Sequence, residues 1–192
     1  MGTSLPMPMD DASTTAATWR IRAERPSDAA AIEALNETCF GPGRFAKTAY
    51  RLREGVEPVG ALGFVTEEDG ALTGSVRFWP IRAGEADALL LGPLAVRSEC
   101  RGRGMGLALM RRGIEAAQAT DFVAIVLVGD EPYYKRAGFA PLPPGRLKMP
   151  GPVDPRRLLG LALKPGALER LSGDIRRARI DHPVSAGAAP LG

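Results

Sequence analysis

Leu91 to Gly106 reads Leu-Gly-Pro-Leu-Ala-Val-Arg-Ser-Glu-Cys-Arg-Gly-Arg-Gly-Met-Gly, and it sets a strand, a glycine-rich turn and a helix start in immediate succession. Where such a turn enters a helix, successive backbone N–H groups lack intrahelical partners, and the helix dipole adds about half a positive charge. An anion such as phosphate is bound there readily. Gly102, Gly104 and Gly106 permit positive φ and leave no Cβ in the way of a bulky pyrophosphate. Arg101 and Arg103 add charge, and Gly92-Pro93 interrupts the preceding strand, where a bulge is expected.

Downstream, Leu107, Met110, Ile114 and Ala117 recur at helical spacing, leaving Arg111, Arg112 and Glu115 for solvent. Phe122 to Val128 is a continuous apolar run, the pattern of a central strand covered on both faces and parallel to the strand before the helix. Together these make a right-handed βαβ unit. Upstream, Trp19–Arg22 alternates like a strand and Ala29–Thr38 carries Ile32 and Leu35 on one helical face, while Phe45–Arg53 suggests a second short helix. Two strands, about 59–66 and 71–82, flank an Asp69-Gly70 hairpin turn. A short helix at Glu131–Ala137, a short strand at Gly138–Ala140, a proline-rich loop over 141–155 and a strand at Leu158–Leu163 follow. Ala167 to Ile180 is read as a final helix whose solvated face carries Arg176, Arg177 and Arg179.

Residues 1–17 are expected to form a disordered leader, 18–165 one domain, and 166–192 an extension ending in a loose tail. No secretory signal and no apolar run of about 20 residues is present, so a soluble cytoplasmic protein is expected. The 192 residues are 45% hydrophobic and 24% charged, with a net charge of +3. That small excess, with no interleaved aromatics, argues against nucleic acid. Cys39 and Cys100 lack metal spacing and are read as reduced thiols, and His182 beside Pro183 as a surface residue, so no metal is expected.

Two familiar phosphate loops are excluded by spacing. A dinucleotide fingerprint from Gly102 would need a third glycine at 107, where Leu107 stands, and no Gly-Lys-Ser/Thr is present for a P-loop. Arg101, Gly104 and Gly106 do match the pattern Arg/Gln-x-x-Gly-x-Gly/Ala. Some 30 residues on, separated by the helix and strand just described, stands Gly129-Asp130-Glu131-Pro132-Tyr133-Tyr134-Lys135-Arg136-Ala137-Gly138-Phe139. With both motifs in this order, the chain resembles the GNAT N-acetyltransferase superfamily, in particular its YhbS-like branch.

The resemblance implies an α/β (α+β) fold with a mixed, twisted sheet of six to seven strands, helices on both faces, and fourth and fifth strands that splay into a wedge. It implies acetyl-CoA, or another acyl-CoA, as co-substrate, with pantetheine pairing against Leu94, Ala95 and Val96. The pyrophosphate would lie on Arg101, Gly102, Arg103, Gly104, Met105, Gly106 and Leu107. Tyr134, four residues before Gly138, stands where the family commonly has the acid that protonates the departing thiolate. A phenol pKa of about 10 is close enough to a thiol's, about 8.5, for proton transfer. An N–H near Leu94 is the expected oxyanion donor. Tyr133 is read as core, and no base stands out, since Glu85 and Asp87 precede leucines at the fourth strand.

The expected function is acetyl transfer to a small-molecule or peptide amine in a ternary complex. Acyl carrier protein as donor of a longer chain, a noncatalytic acyl-CoA-binding module and a homodimer remain open. The first two helices and late loops, about 28–54 and 141–157, would build the acceptor pocket.

Overall fold

In the computed structural model, residues 19–178 are described, so the expected leader, the loose tail and His182 lie outside the described residues. The order is β1 (Trp19–Ala23), α1 (Ala29–Phe40), α2 (Thr48–Arg51), β2 (Phe64–Glu68), β3 (Ala71–Ala83), β4 (Ala86–Val96), α3 (Met105–Gln118) and β5 (Ala124–Val128). It continues through α4 (Glu131–Tyr134), β6 (Ala140–Pro141), β7 (Leu147–Lys148), β8 (Leu158–Ala162), α5 (Ala167–Arg170) and β9 (Gly173–Arg177). The strands form one mixed sheet in the order β1-β2-β3-β4-β5-β8-β6, with β9 on β3 and β7 on β9. Among the described residues, no helix is long and apolar enough to cross a membrane.

Alternation along the central strands divides the core into two layers. On one face, Leu89 and Leu91 of β4 and Ile125 and Leu127 of β5 pack with Leu109, Met110, Ile114 and Ala117 of α3. On the other, Ala88, Leu90, Ala124 and Val126 pack with Leu52, Leu142, Leu171 and Ile175. Burying each large aliphatic side chain contributes about 1.5–3 kcal/mol, so α3 on one face and these loop and β9 residues on the other hold β4 and β5 between them. At the hairpin, Asp69 (φ 50°) and Gly70 (φ 77°) both take the positive φ of a two-residue type I′ turn.

Among the described residues the sheet has nine strands where six to seven were expected, because the short β7 and β9 join it, and two further expectations change. β2 begins at Phe64, because Gly60–Leu62 turns as a 3₁₀ helix that buries Leu62. The helix expected over Ala167–Ile180 is one turn, α5, followed by β9. Leu171 and Ile175 fit helical and strand periods alike, and Gly173 at φ 106° breaks a helix. β3 supplies the partner: β2 occupies one edge up to Val76, and β9 pairs at Ile81–Ala83 beyond it. Arg176 and Arg177 are exposed, on a strand.

Candidate active site

The register of β3 against β4 runs from Phe78↔Leu91 to Val76↔Leu94, so Gly92 and Pro93 face the single residue Arg77. This is the bulge expected at Gly92-Pro93, and the peptide between them is cis. Gly92 sits at φ 123°, closed to L side chains, and the Arg53 guanidinium fills the place of its missing Cβ. Trp79 fixes the bulge from the other direction, its Nε1–H donating to Gly92 O at 2.6 Å.

Near this bulge β4 and β5 part. Their parallel pairing covers only Leu89↔Ile125 and Leu90↔Val126. Among the described residues, no strand pairs with the β5-facing edge of β4 from Leu91 to Val96. Leu94 and Val96 turn backbone groups toward this gap while those of Ala95 face β3, so an extended chain of amides can add there as a strand.

The glycine-rich turn lies at the end of that edge. Gly102 (φ 80°) and Gly104 (φ 84°) are both left-handed, and Gly104 caps α3 without any side-chain hydrogen bond. The N–H groups of Met105, Gly106 and Leu107 lie in the first turn, where no intrahelical carbonyl reaches, and the first bond is Ala108 N–H to Gly104 O at 3.0 Å. A Cβ built at Gly102 or Gly104 meets nothing, so the turn faces open space. Arg101 Nε donates to Val96 O at 3.4 Å, as does the Cys39 thiol, which ties turn and α1 to the strand edge. Arg103 does not face the turn's open side: it forks onto Glu68 of β2 at 2.5 and 2.8 Å. A Cβ at Gly106 would overlap the Tyr133 hydroxyl, so this glycine admits Tyr133 against α3. Tyr133 itself is 38% exposed and not core, a correction that follows from its place at the helix mouth.

A cavity of about 580 Å³ opens beside the bulge, lined by Asn36, Arg53, Trp79, Leu94, Tyr134 and Arg157 among others. Its walls come from residues 33–53 and 152–157 with β3 and β4, close to the segments expected to build an acceptor pocket. Tyr134 is set edge-on against Tyr133 and Phe139, with ring centroids 5.2 and 6.0 Å away. Gly129 leaves room for its ring. Burial, then the neighbouring Tyr133 and Asp130, push its phenol up to about 12, against the opposing fields of Arg157 and Arg53.

Neither carboxylate weighed as a base reaches the cavity. Asp87 pairs with Arg82 at 2.7 Å and Glu85 with Arg176 at 3.4 Å, both at the β3–β4 turn. The carboxylates that do line it are engaged: Glu33 holds Arg44, and Asp154 holds Arg156 at 3.0 Å, which keeps Asp154 below the usual carboxylate range. Sequence reading missed Arg53, Trp79 and Asn36, since nothing in their local pattern separates them from ordinary helix and strand residues.

The profile of the acetyltransferase (GNAT) family matches residues 29–139, from α1 to Phe139. The uncharacterised N-acetyltransferase YhbS of Escherichia coli K12 is 35% identical over 122 residues, 62% of this chain and 72% of that protein. Among solved structures, E. coli YhbS in complex with CoA superposes with a TM-score of 0.72 at 29% identity, covering 84% of this chain and 90% of that one. A GNAT acetyltransferase of Brucella melitensis in complex with acetyl-CoA gives 0.61 at 28% identity, covering 83% and 96%. Fold, motif order and sequence agree: the chain is an acyltransferase and belongs to the acetyltransferase (GNAT) family.

Proposed function

We propose that the protein transfers an acetyl group from acetyl-CoA to a primary amine by direct attack in a ternary complex. The observation that carries this reading is the edge of β4 past Leu90, which no described strand pairs, with the open start of α3 at its end, free of any side-chain cap, and the Tyr134 cavity beside the bulge. The CoA and acetyl-CoA complexes of the two similar structures supply the ligand. Leu94–Val96 would pair with pantetheine, and the Gly102–Leu107 turn would take the pyrophosphate, mainly through main-chain N–H groups. Arg101 lies nearer to this role than Arg103, which is held by Glu68. The catalytic unit runs through β9, because that strand completes the edge of β3.

The chemistry moves one proton from nitrogen to sulfur. The neutral amine forms a C–N bond to the thioester carbonyl, the oxyanion rests on an N–H at Leu94, and the C–S bond breaks. Tyr134 gives its phenolic proton to the thiolate and regains one from the nitrogen as the amide forms. Its raised pKa keeps the phenol protonated at neutral pH and makes proton donation to sulfur uphill on its own, so the step depends on the tyrosinate recovering the proton of the nitrogen, toward which it is a strong base. No cavity carboxylate is then required as base.

The test is acetyl-CoA binding followed by thiol release over an amine panel. A ligand that binds only the native state raises its melting temperature, by about 2.7 kcal/mol of stabilisation at 100 times Kd. The expected result is a shift with acetyl-CoA and amine-dependent release of CoA. Millimolar acetyl-CoA without any shift would overturn the reading.

A further inference from the structure

The cations around the cavity are mostly paired with carboxylates or, like Lys47 over the Phe40 ring and Arg51 on Pro150 O, exposed to solvent. Arg44 pairs with Glu33, Arg77 with Glu24 at 2.5 Å, and Arg157 with Asp130 at 3.3 Å. Arg53 is different. Among the described residues its guanidinium has no carboxylate partner, and its Nε is shut away from solvent without a hydrogen bond. Its Cζ lies 6.0 Å from the centroid of the Trp79 ring, and its guanidinium stands where a side chain at Gly92 would begin. Burial draws its pKa down to about 10, opposed by the fields of Tyr50 and Tyr134. Arg53 is half-buried, yet a side chain needed only to fill this space would be apolar, because shutting a guanidinium N–H from water without a partner is unfavourable.

A second polar group in the same cavity is also unanswered. Asn36, on α1, is 3% exposed, and its Oδ1 has no hydrogen-bond partner. Native structures satisfy nearly all such groups, so a cavity with an orphan cation and an orphan amide oxygen is shaped for a ligand that supplies an anion and an N–H donor. The donor substrate does not supply the anion here. Acetyl and pantetheine are neutral, and no residue of Arg101–Leu107, where the pyrophosphate is assigned, lines this cavity.

Resting on the acetyl-transfer reading above, we propose that the acceptor is an amine that also carries a carboxylate, such as a free amino acid. Its carboxylate pairs with the fork of Arg53, and its amino N–H faces Asn36 Oδ1. The guanidinium fork matches a carboxylate with two parallel hydrogen bonds, which makes this contact selective as well as attractive. The same cation disfavours a protonated amine nearby and so raises the neutral fraction that attacks.

The experiment compares amino acids with their decarboxylated amines and their amides, at saturating acetyl-CoA, in the parent and in Arg53→Met. The parent should prefer the acid over the matched amine and amide by about tenfold or more in kcat/KM, the scale of a charge-assisted pair. In Arg53→Met that ratio should fall to within about threefold of unity. An N-acetylated amino acid, read without turnover, should raise the melting temperature of the parent and not of the variant. Arg53→Lys keeps the charge without the fork, should retain part of the preference, and serves if the methionine variant does not fold. A parent that uses the decarboxylated amine as well as the acid, an Arg53→Met enzyme that keeps the preference, or faster turnover with succinyl-CoA than with acetyl-CoA would each overturn the proposal. Thiol release with carboxylate-free amines alone sinks only this proposal. Failure to bind acetyl-CoA sinks the transfer reading beneath it.

Discussion

The indole Nε1–H of Trp79 donates to the carbonyl oxygen of Gly92 at 2.6 Å, so β3 fixes the carbonyl at the bulge where β4 leaves β5. Arg53 lies against both residues. Two side chains thus hold the bulge beside the strand edge on which the acyl donor would lie.

Trp79→Phe keeps an aromatic face for Arg53 and removes the donor. It should cost about 1 kcal/mol in urea unfolding, the net worth of one hydrogen bond. Because misplacing reacting groups by about 1 Å costs on the order of 100-fold, kcat should fall well beyond what the stability loss accounts for. Parallel measurement of the unfolding midpoint and kcat checks this; equal rates in parent and variant would release the bulge from any role in positioning.

The phosphate turn makes a contrast between neighbours. Gly104→Asp puts a negative charge into the open side of the turn and strains a residue at φ 84°, so acetyl-CoA affinity should fall by about 100-fold or more. Arg103→Ala should weaken binding less than about fivefold, since Arg103 is spent on Glu68 and exposed pairs contribute little. Calorimetric titration of both variants decides it, and the reverse order would place the pyrophosphate on the Arg103 side.

Among the described residues no cavity carboxylate is free and Tyr134 is pushed up to about 12, so on the proposed mechanism no enzyme group would supply the rising limb of the pH profile. The acceptor does. Between about pH 6 and 9.5, kcat/KM should rise with the fraction of neutral amine, with no falling limb from Tyr134, which stays protonated throughout. Two acceptors whose amines differ by about one pKa unit should give midpoints that differ likewise. A shared midpoint near neutrality would reveal a protein base.

Acid stability should follow Asp28, at the start of α1. Arg22 grips it at 2.6 and 2.9 Å and the Arg25 N–H donates at 2.7 Å, holding its carboxyl below the usual range. A depressed carboxyl stabilises the fold above its unfolded pKa, and that contribution is lost as pH falls through the folded value. Asp28→Asn should therefore cost about 1.5–3 kcal/mol at pH 7 and progressively less below about pH 4, read by urea unfolding at each pH.

Much of this architecture was legible in the sequence because one local rule governed each element. Asp69-Gly70 favoured a tight hairpin turn, the apolar run Phe122–Val128 fitted a doubly covered strand, observed over Ala124–Val128, and Gly92-Pro93 favoured a break in the ladder. β9 was not legible: Leu171 and Ile175 satisfy two periods, and the free edge of β3 that chose between them comes from residues almost 100 positions earlier. The site divides in the same way. The glycine turn and Tyr134 stand in contiguous motifs, whereas Arg53, Asn36 and Trp79 come from three separate elements and gain meaning only from the cavity they share. Arg103 adds a caution, since its neighbour in space, Glu68, redirects a charge that its neighbours in sequence seem to aim at phosphate.

The most direct measurement is the turnover number of Tyr134→Phe with a good acceptor, taken beside its dissociation constant for acetyl-CoA. The ring keeps its place against Gly129 and Phe139, and only the phenolic proton is lost. Acetyl transfer through a Tyr134 shuttle predicts a kcat lower by about 10²- to 10⁴-fold with affinity within about twofold of the parent. A kcat within about threefold of the parent would contradict it, because a group that carries the proton cannot be removed at so small an effect.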